Sequence, residues 1–187
     1  MRRGNVVTVP GQLEGNVIVF TGGGKGKTTA AVGLACRVLG HGGKAVFIHF
    51  TGPLRPSLGE VRCTKELGRK VTMIAIRSQA AQESYLDQFD ESVETLDTAL
   101  ERARELVRDG EQCLVVLDDI NPLLDRRVFD QEAIEELIQG KAESVTIVFT
   151  GRSAPHWLLE MADIVTDFAE VKHPVHEGVA PRRGIEF

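Results

Sequence analysis

The apolar positions of the chain fall into two alternating patterns. Short, nearly continuous apolar runs predict strands at 16–20, 44–50, 71–76, 113–118, 144–150 and 164–171. Runs that are apolar on both faces are what parallel strands need when helices cover both sides of a sheet. Between them, apolar residues recur every three or four positions, which predicts helices at 27–39, 90–108, 131–139 and 155–161. In the second of these, Val93, Leu96, Leu100, Ala103 and Val107 form one apolar stripe, with charged residues elsewhere. Gly40, Gly42 and Gly43 supply a stop for the first helix. The alternation predicts a doubly wound, three-layer α/β fold around a mostly parallel sheet, with ligands bound beyond the carboxyl ends of the strands. No repeat or low-complexity linker divides the chain. Residues 1–187 therefore read as one domain, with an irregular N-terminal segment at 1–14 and a tail at 172–187 expected over the ligand site.

Composition narrows the function classes. A chain of 187 residues can bury a core without disulfides. A net charge of −5 gives no reason to expect nucleic acid or an anionic membrane as partner. The apolar runs fall well short of the ~20 residues of a membrane span. Arg2 and Arg3 are followed by no apolar core, so no signal peptide is expected. Cys36, Cys63 and Cys113 are far apart and odd in number, which fits free thiols in a reducing cytoplasm.

The strongest chemical signal is NVIVF followed by TGGGKGKTTAAVGLA. A strand enters a glycine-rich loop and a helix starts at a Lys-Thr pair, the context of a phosphate-binding P-loop. Gly22, Gly23, Gly24 and Gly26 allow backbone angles that aim successive amides at one point, around Lys25. The helix N-terminus adds partial positive charge. Lys27 adds a full charge, and the Thr28 hydroxyl is placed for Mg²⁺. Thr21 stands where the GxxxxGK[ST] pattern has its first glycine. A second element, CLVVLDDIN, is an apolar strand ending in Asp118 and Asp119, and either carboxylate can hold the metal directly or through water. The expected fold is thus P-loop NTPase-like, with a nucleoside triphosphate as the ligand.

With these residues in view, the chain resembles the ATP:corrinoid adenosyltransferases of the bacterial cobalamin pathway. The likeness covers residues 15–187 and rests on five segments. The loop TGGGKGKTT matches the family's TGxGKGKTT, which accounts for Thr21. The helix AVGLACRVLGHG, the strand VVLDDIN and the strand VTIVFTGR also match. The ending ADIVTDFAEVKHPVHEGVAPRRGIEF is the most specific of them. The resemblance implies transfer of the 5′-deoxyadenosyl group of ATP to the cobalt(I) of a corrinoid, with triphosphate released. Cobalt(I) is itself the nucleophile, so the protein's part is positioning and charge stabilisation. By the same resemblance Lys27 and Asp119 carry the chemistry, and Thr28 and Asp119 hold Mg²⁺ or Mn²⁺, with Asp118 kept as a metal candidate from the acidic strand end. Thr29, Arg37 and Arg152 lie near the nucleotide, and Lys172 and His173 belong to the tail motif on the corrinoid side. It also implies a flavoprotein reductant as partner and a homodimer.

Two segments depart from the family. Its glycine-phenylalanine-threonine-tryptophan segment, which lies against the corrinoid, aligns with Gln82, Glu83 and Ser84, leaving Tyr85 and Phe89 as the nearest aromatics. HFTGPLRPSLGE replaces the family's QFIKG, a tryptophan and GE. An ATP-binding regulatory or carrier module without transfer activity, or with an altered acceptor, stays open as the alternative. His173 and His176 form H-x-x-H, but without a helix the spacing does not define a metal site. His49 and His156 have no partner legible in the sequence.

Overall fold

The computed structural model describes residues 14–50, 59, 63, 70–76, 91–93 and 95–185, with the backbone alone at 91 and 92. Seven strands form one sheet: β1 (Val17–Thr21), β2 (Ala45–His49), β3 (Val71–Ile76), β4 (Glu91–Val93), β5 (Leu114–Asp118), β6 (Thr146–Thr150) and β7 (Ile164–Asp167). Their order is β4-β3-β2-β5-β6-β1-β7, and every neighbouring pair is parallel. The sheet among the described residues is thus wholly parallel, where a mostly parallel one is expected from the pattern. The helices are α1 (Lys27–Gly40), α2 (Leu96–Asp109), α3 (Asn121–Asp125), α4 (Gln131–Gln139) and α5 (His156–Met161), followed by a 3₁₀ turn at Pro174–Glu177.

Alternate residues of the central strands go to opposite layers. Val17, Val19, Val115, Leu117, Ile147 and Phe149 join the core under α2, α4 and α5. Ile18, Phe20, Leu114, Val116 and Val148 face α1, whose Ala31 and Ala35 let the helix approach the sheet closely. This two-sided burial is the physical reason the strands read as continuous apolar runs. Trp157, on α5, packs against the first of these cores.

Two expectations are corrected. The helix expected at 90–108 starts at Leu96, because Glu91–Val93 instead pairs with β3 as an edge strand. Thr95 sets the boundary: its hydroxyl accepts the Thr98 amide at 3.1 Å, while the Thr98 hydroxyl accepts the Thr95 amide at 2.9 Å. Val93 therefore belongs to a strand and not to the helical stripe. The strand expected at 164–171 ends at Asp167, where the chain turns into contact with the glycine-rich loop. The short helix α3 and the 3₁₀ turn carry too little periodicity to be legible beforehand.

Thr95→Ala removes the hydroxyl arm of this cap and leaves the Thr95 amide to the Thr98 hydroxyl. It is expected to lower stability by about 0.5–2 kcal/mol in urea denaturation while leaving nucleotide affinity unchanged.

Candidate functional site

The glycine-rich loop joins β1 to α1 at the carboxyl edge of the sheet. Two of its glycines, Gly22 (φ 98°) and Gly26 (φ 116°), take left-handed angles. Gly23 and Gly24 do not. At Gly24 the reason for glycine is space, since a Cβ would lie 2.6 Å from the Phe168 carbonyl oxygen. The Gly24 amide donates to that same oxygen at 2.6 Å, so it is turned away from the centre of the loop. Lys27 Nζ donates to the carbonyls of Gly22 at 2.7 Å and Gly24 at 2.6 Å, which uses two of its three donors and holds the ammonium across the loop. Burial lowers the Lys27 pKa below the usual lysine value, and the Arg152 charge lowers it further; Asp119 and Asp167 act in the opposite sense. Arg152, Asp119 and Asp167 are therefore all within electrostatic reach of the loop. Thr21 earns its place through its hydroxyl, which accepts the Ala154 amide at 3.0 Å and ties the end of β1 to the segment after β6.

Strand order places β6 between the loop strand β1 and the acidic strand β5. Asp118, at the end of β5, is buried. Its Oδ1 accepts from the Thr28 hydroxyl at 2.9 Å and the Thr150 hydroxyl at 2.6 Å. Its Oδ2 lies 2.9 Å from His49 Nδ1. Burial raises the Asp118 pKa, but the His49 contact, with Thr150 and Thr28 after it, outweighs burial and holds the carboxyl below the ordinary aspartate value. Asp119 follows in the left-handed region (φ 57°), which Asp tolerates better than most residues. Its amide donates to Thr150 Oγ1 at 3.0 Å, and its side chain is half-buried. Asn121 is fully buried and donates to the carbonyls of Phe20 at 3.0 Å and Gly151 at 3.2 Å, clamping β1 to the turn that carries Arg152. A hydroxyl and two carboxylates around the loop are hard oxygen donors, the set that suits Mg²⁺ shared with phosphates.

Lys27, Thr28, Asp118, Asp119 and Arg152 are thus brought to one end of the sheet. Lys25 and Thr29 are exposed beside them. Arg37 is not brought there: ten residues along α1 from Lys27, it lies about 15 Å further down the helix axis. The tail does reach the loop. Lys25, Glu170, Lys172, His173 and Arg182 line a pocket of about 360 Å³. His173 Nδ1 accepts the Val175 amide at 3.1 Å, and Lys172 pairs with Glu177 at 3.3 Å. His176 bonds Glu170 at 2.5 Å, so the two tail histidines have separate partners. Tyr85, Phe89 and 82–84 lie outside the described residues, as do 51–58 and the last two residues of the tail. His49, Thr150 and Asn121 were not legible as site residues. Only the position of Thr150 and Asn121 inside matched segments hinted at them.

A family model described as "ATP:corrinoid adenosyltransferase BtuR/CobO/CobP" matches residues 13–187. The chain is similar to a corrinoid adenosyltransferase of Escherichia coli (strain K12), 33% identical over 182 residues, covering 93% of this chain and 86% of that protein. It is 32% identical over 175 residues to one from Sinorhizobium sp, covering 93% of this chain and 81% of the relative. A Pseudomonas aeruginosa corrinoid adenosyltransferase is 31% identical over 174 residues, with 93% and 84% covered.

The lowered Asp118 pKa has a signed consequence. A carboxyl with a depressed folded value contributes stability above its unfolded value and loses it as pH falls through the folded one. Wild-type protein should therefore lose stability below about pH 4 partly through Asp118. Asp118→Asn should be less stable by about 1–3 kcal/mol at pH 7, with the difference from wild type shrinking toward acid in urea titrations at stepped pH.

Proposed function

Because the chain belongs to the ATP:corrinoid adenosyltransferase family, we propose that the loop at 22–26 and the start of α1 hold the triphosphate of ATP, with the tail on the corrinoid side. The protein transfers the adenosyl group of ATP to a corrinoid. In this reaction the cobalt(I) electron pair forms a bond to C5′ of ATP. The C5′–oxygen bond breaks, its electrons leave with the triphosphate, and cobalt ends as cobalt(III). No side-chain nucleophile is required, and the residues serve to orient C5′ and to stabilise charge on the leaving triphosphate.

The observation that carries this reading is the bond from Thr28 to Asp118, made beside the Lys27-bridged loop. Lys27 directs an ammonium to the triphosphate, and Arg152 adds a second cation able to pair with phosphate oxygens. Thr28 and Asp119 would hold Mg²⁺, with Asp118 behind them; the ion supplies charge neutralisation to the departing phosphates. Lys25, Lys172, His173 and Arg182 offer donors and charge to the polar periphery of the corrinoid. Supply of cobalt(I) requires a one-electron reductant, for which a flavoprotein is the class we assign. Ile164 and Val165 are exposed on the edge strand β7, which supports a homodimer. The exposed, unpaired thiols of Cys36, Cys63 and Cys113 suit a reducing cytoplasm. Among the described residues, no helix is long and apolar enough to cross a membrane.

Lys27→Ala should weaken ATP binding about 10- to 100-fold in titration calorimetry, the worth of one charge-assisted contact. Unchanged affinity in a folded variant would move the nucleotide site elsewhere. Anaerobic incubation with ATP, Mg²⁺ and chemically reduced cobalamin should yield triphosphate in step with adenosylcobalamin, followed by phosphorus NMR and the visible spectrum. ADP and phosphate as the stoichiometric products would place the protein among hydrolases.

A further inference from the structure

His49 ends β2, and the parallel register sets it directly beside Asp118 of β5. The two side chains are almost wholly buried, each 4% exposed, and their atoms meet at 2.9 Å. The imidazole is stacked on Phe47 two residues earlier, with ring centres 6.5 Å apart and planes 24° from parallel, which restricts its rotation. The geometry of the carboxylate gives this contact a use. Its Oδ1 accepts two hydroxyls, Thr28 and Thr150, and its Oδ2 faces His49. Turning the carboxylate part-way about its Cβ–Cγ bond would break all three contacts, so His49 helps fix the plane in which the carboxylate meets Thr28. A threonine hydroxyl has one proton and two lone pairs. Once the proton is committed to Asp118, the lone pairs of Thr28 are the part left to face a cation.

We propose that His49 is a positioning residue for the metal-bearing end of the nucleotide site. It acts through Asp118, holding the carboxylate so that the Thr28 hydroxyl presents its lone pairs to Mg²⁺ of the bound MgATP. On this assignment Asp118 orients the metal's ligand and is not itself the principal ligand, because it is buried and both of its oxygens already face protein donors. The inference rests on the reading that the loop binds MgATP through Thr28. Without His49, Oδ2 is a buried acceptor lacking this donor, and the carboxylate reorients toward its remaining partners.

Calorimetric titration with ATP, once with Mg²⁺ and once with EDTA, tests the role without any turnover. His49→Leu keeps bulk and removes the donor. It should weaken MgATP binding about tenfold and metal-free ATP binding less than about twofold, as expected for loss of one buried charge-assisted contact behind the metal. His49→Gln keeps an N–H donor and should stay within about threefold of wild type for MgATP. His49→Met serves the same comparison should the leucine variant fail to fold, as judged by circular dichroism. Equal losses with and without Mg²⁺, unchanged MgATP affinity in the folded donorless variants, or a glutamine variant as weak as the leucine one would each overturn the role. Wild-type protein that binds ATP equally well with Mg²⁺ and with EDTA would overturn the metal site itself, and is distinguishable because it needs no variant.

Discussion

The buried carboxylate of Asp118 is the constraint around which the ligand end of the molecule is arranged. A charge withdrawn from water costs several kcal/mol unless donors replace the lost hydration. Here the donors come from three other parts of the chain: His49 at the end of β2, Thr150 at the end of β6 and Thr28 in the first turn of α1. Each is useful only if its element sits in the observed place. The order β2-β5-β6 and the docking of α1 are therefore reinforced at one pair of oxygens. The carboxylate that His49 and Thr150 hold is also the acceptor of the Thr28 hydroxyl.

Insertion of β6 between β1 and β5 shapes the rest of the site. The glycine-rich loop and the acidic strand end are held one strand apart, and the strand between them ends in Thr150, which serves both acidic positions: it donates to Asp118 and accepts from the Asp119 amide. Beyond Thr150 the chain must turn sharply at Gly151 (φ 132°), where a Cβ would lie 2.6 Å from Pro122. Asn121 fastens that turn to the end of β1 by bonding both Phe20 and Gly151. Arg152 is exposed just past the fastened turn, so its backbone is fixed while its charge remains free to meet a ligand.

The tail is coupled to the glycine-rich loop through Phe168. Its ring lies edge-on to Phe20 with centres 5.5 Å apart, and its carbonyl receives the Gly24 amide. One consequence is that the loop's conformation depends on residues at the far end of the sequence. Another is that the cationic tail side chains Lys172 and Arg182 share a pocket with Lys25. A ligand in that pocket would touch the loop and the tail together.

The sequence by itself determined the features whose physics is local. Two-sided burial writes a continuous apolar run, so the strands of the central sheet were legible to within a few residues. Glycines, a lysine and a hydroxyl in immediate succession after an apolar run mark 21–29 as a glycine-rich turn from strand to helix, and the run ending in Asp118 marks the acidic end of β5. The family likeness rested on the same short segments and on the tail. Tertiary structure alone decided what depends on strand order and register. His49 acquired a partner because β2 lies beside β5, and nothing near His49 in the chain signals that. Glu91–Val93 became a strand because β3 offered an edge, against a helical spacing that continued through it. Gly24 proved to be a packing glycine, its amide spent on Phe168, because a segment from the other end of the chain lies against it. Apolar periodicity reports which face of an element is buried but not which element covers it, and the hydrogen-bond partners of buried polar groups are set by that second choice.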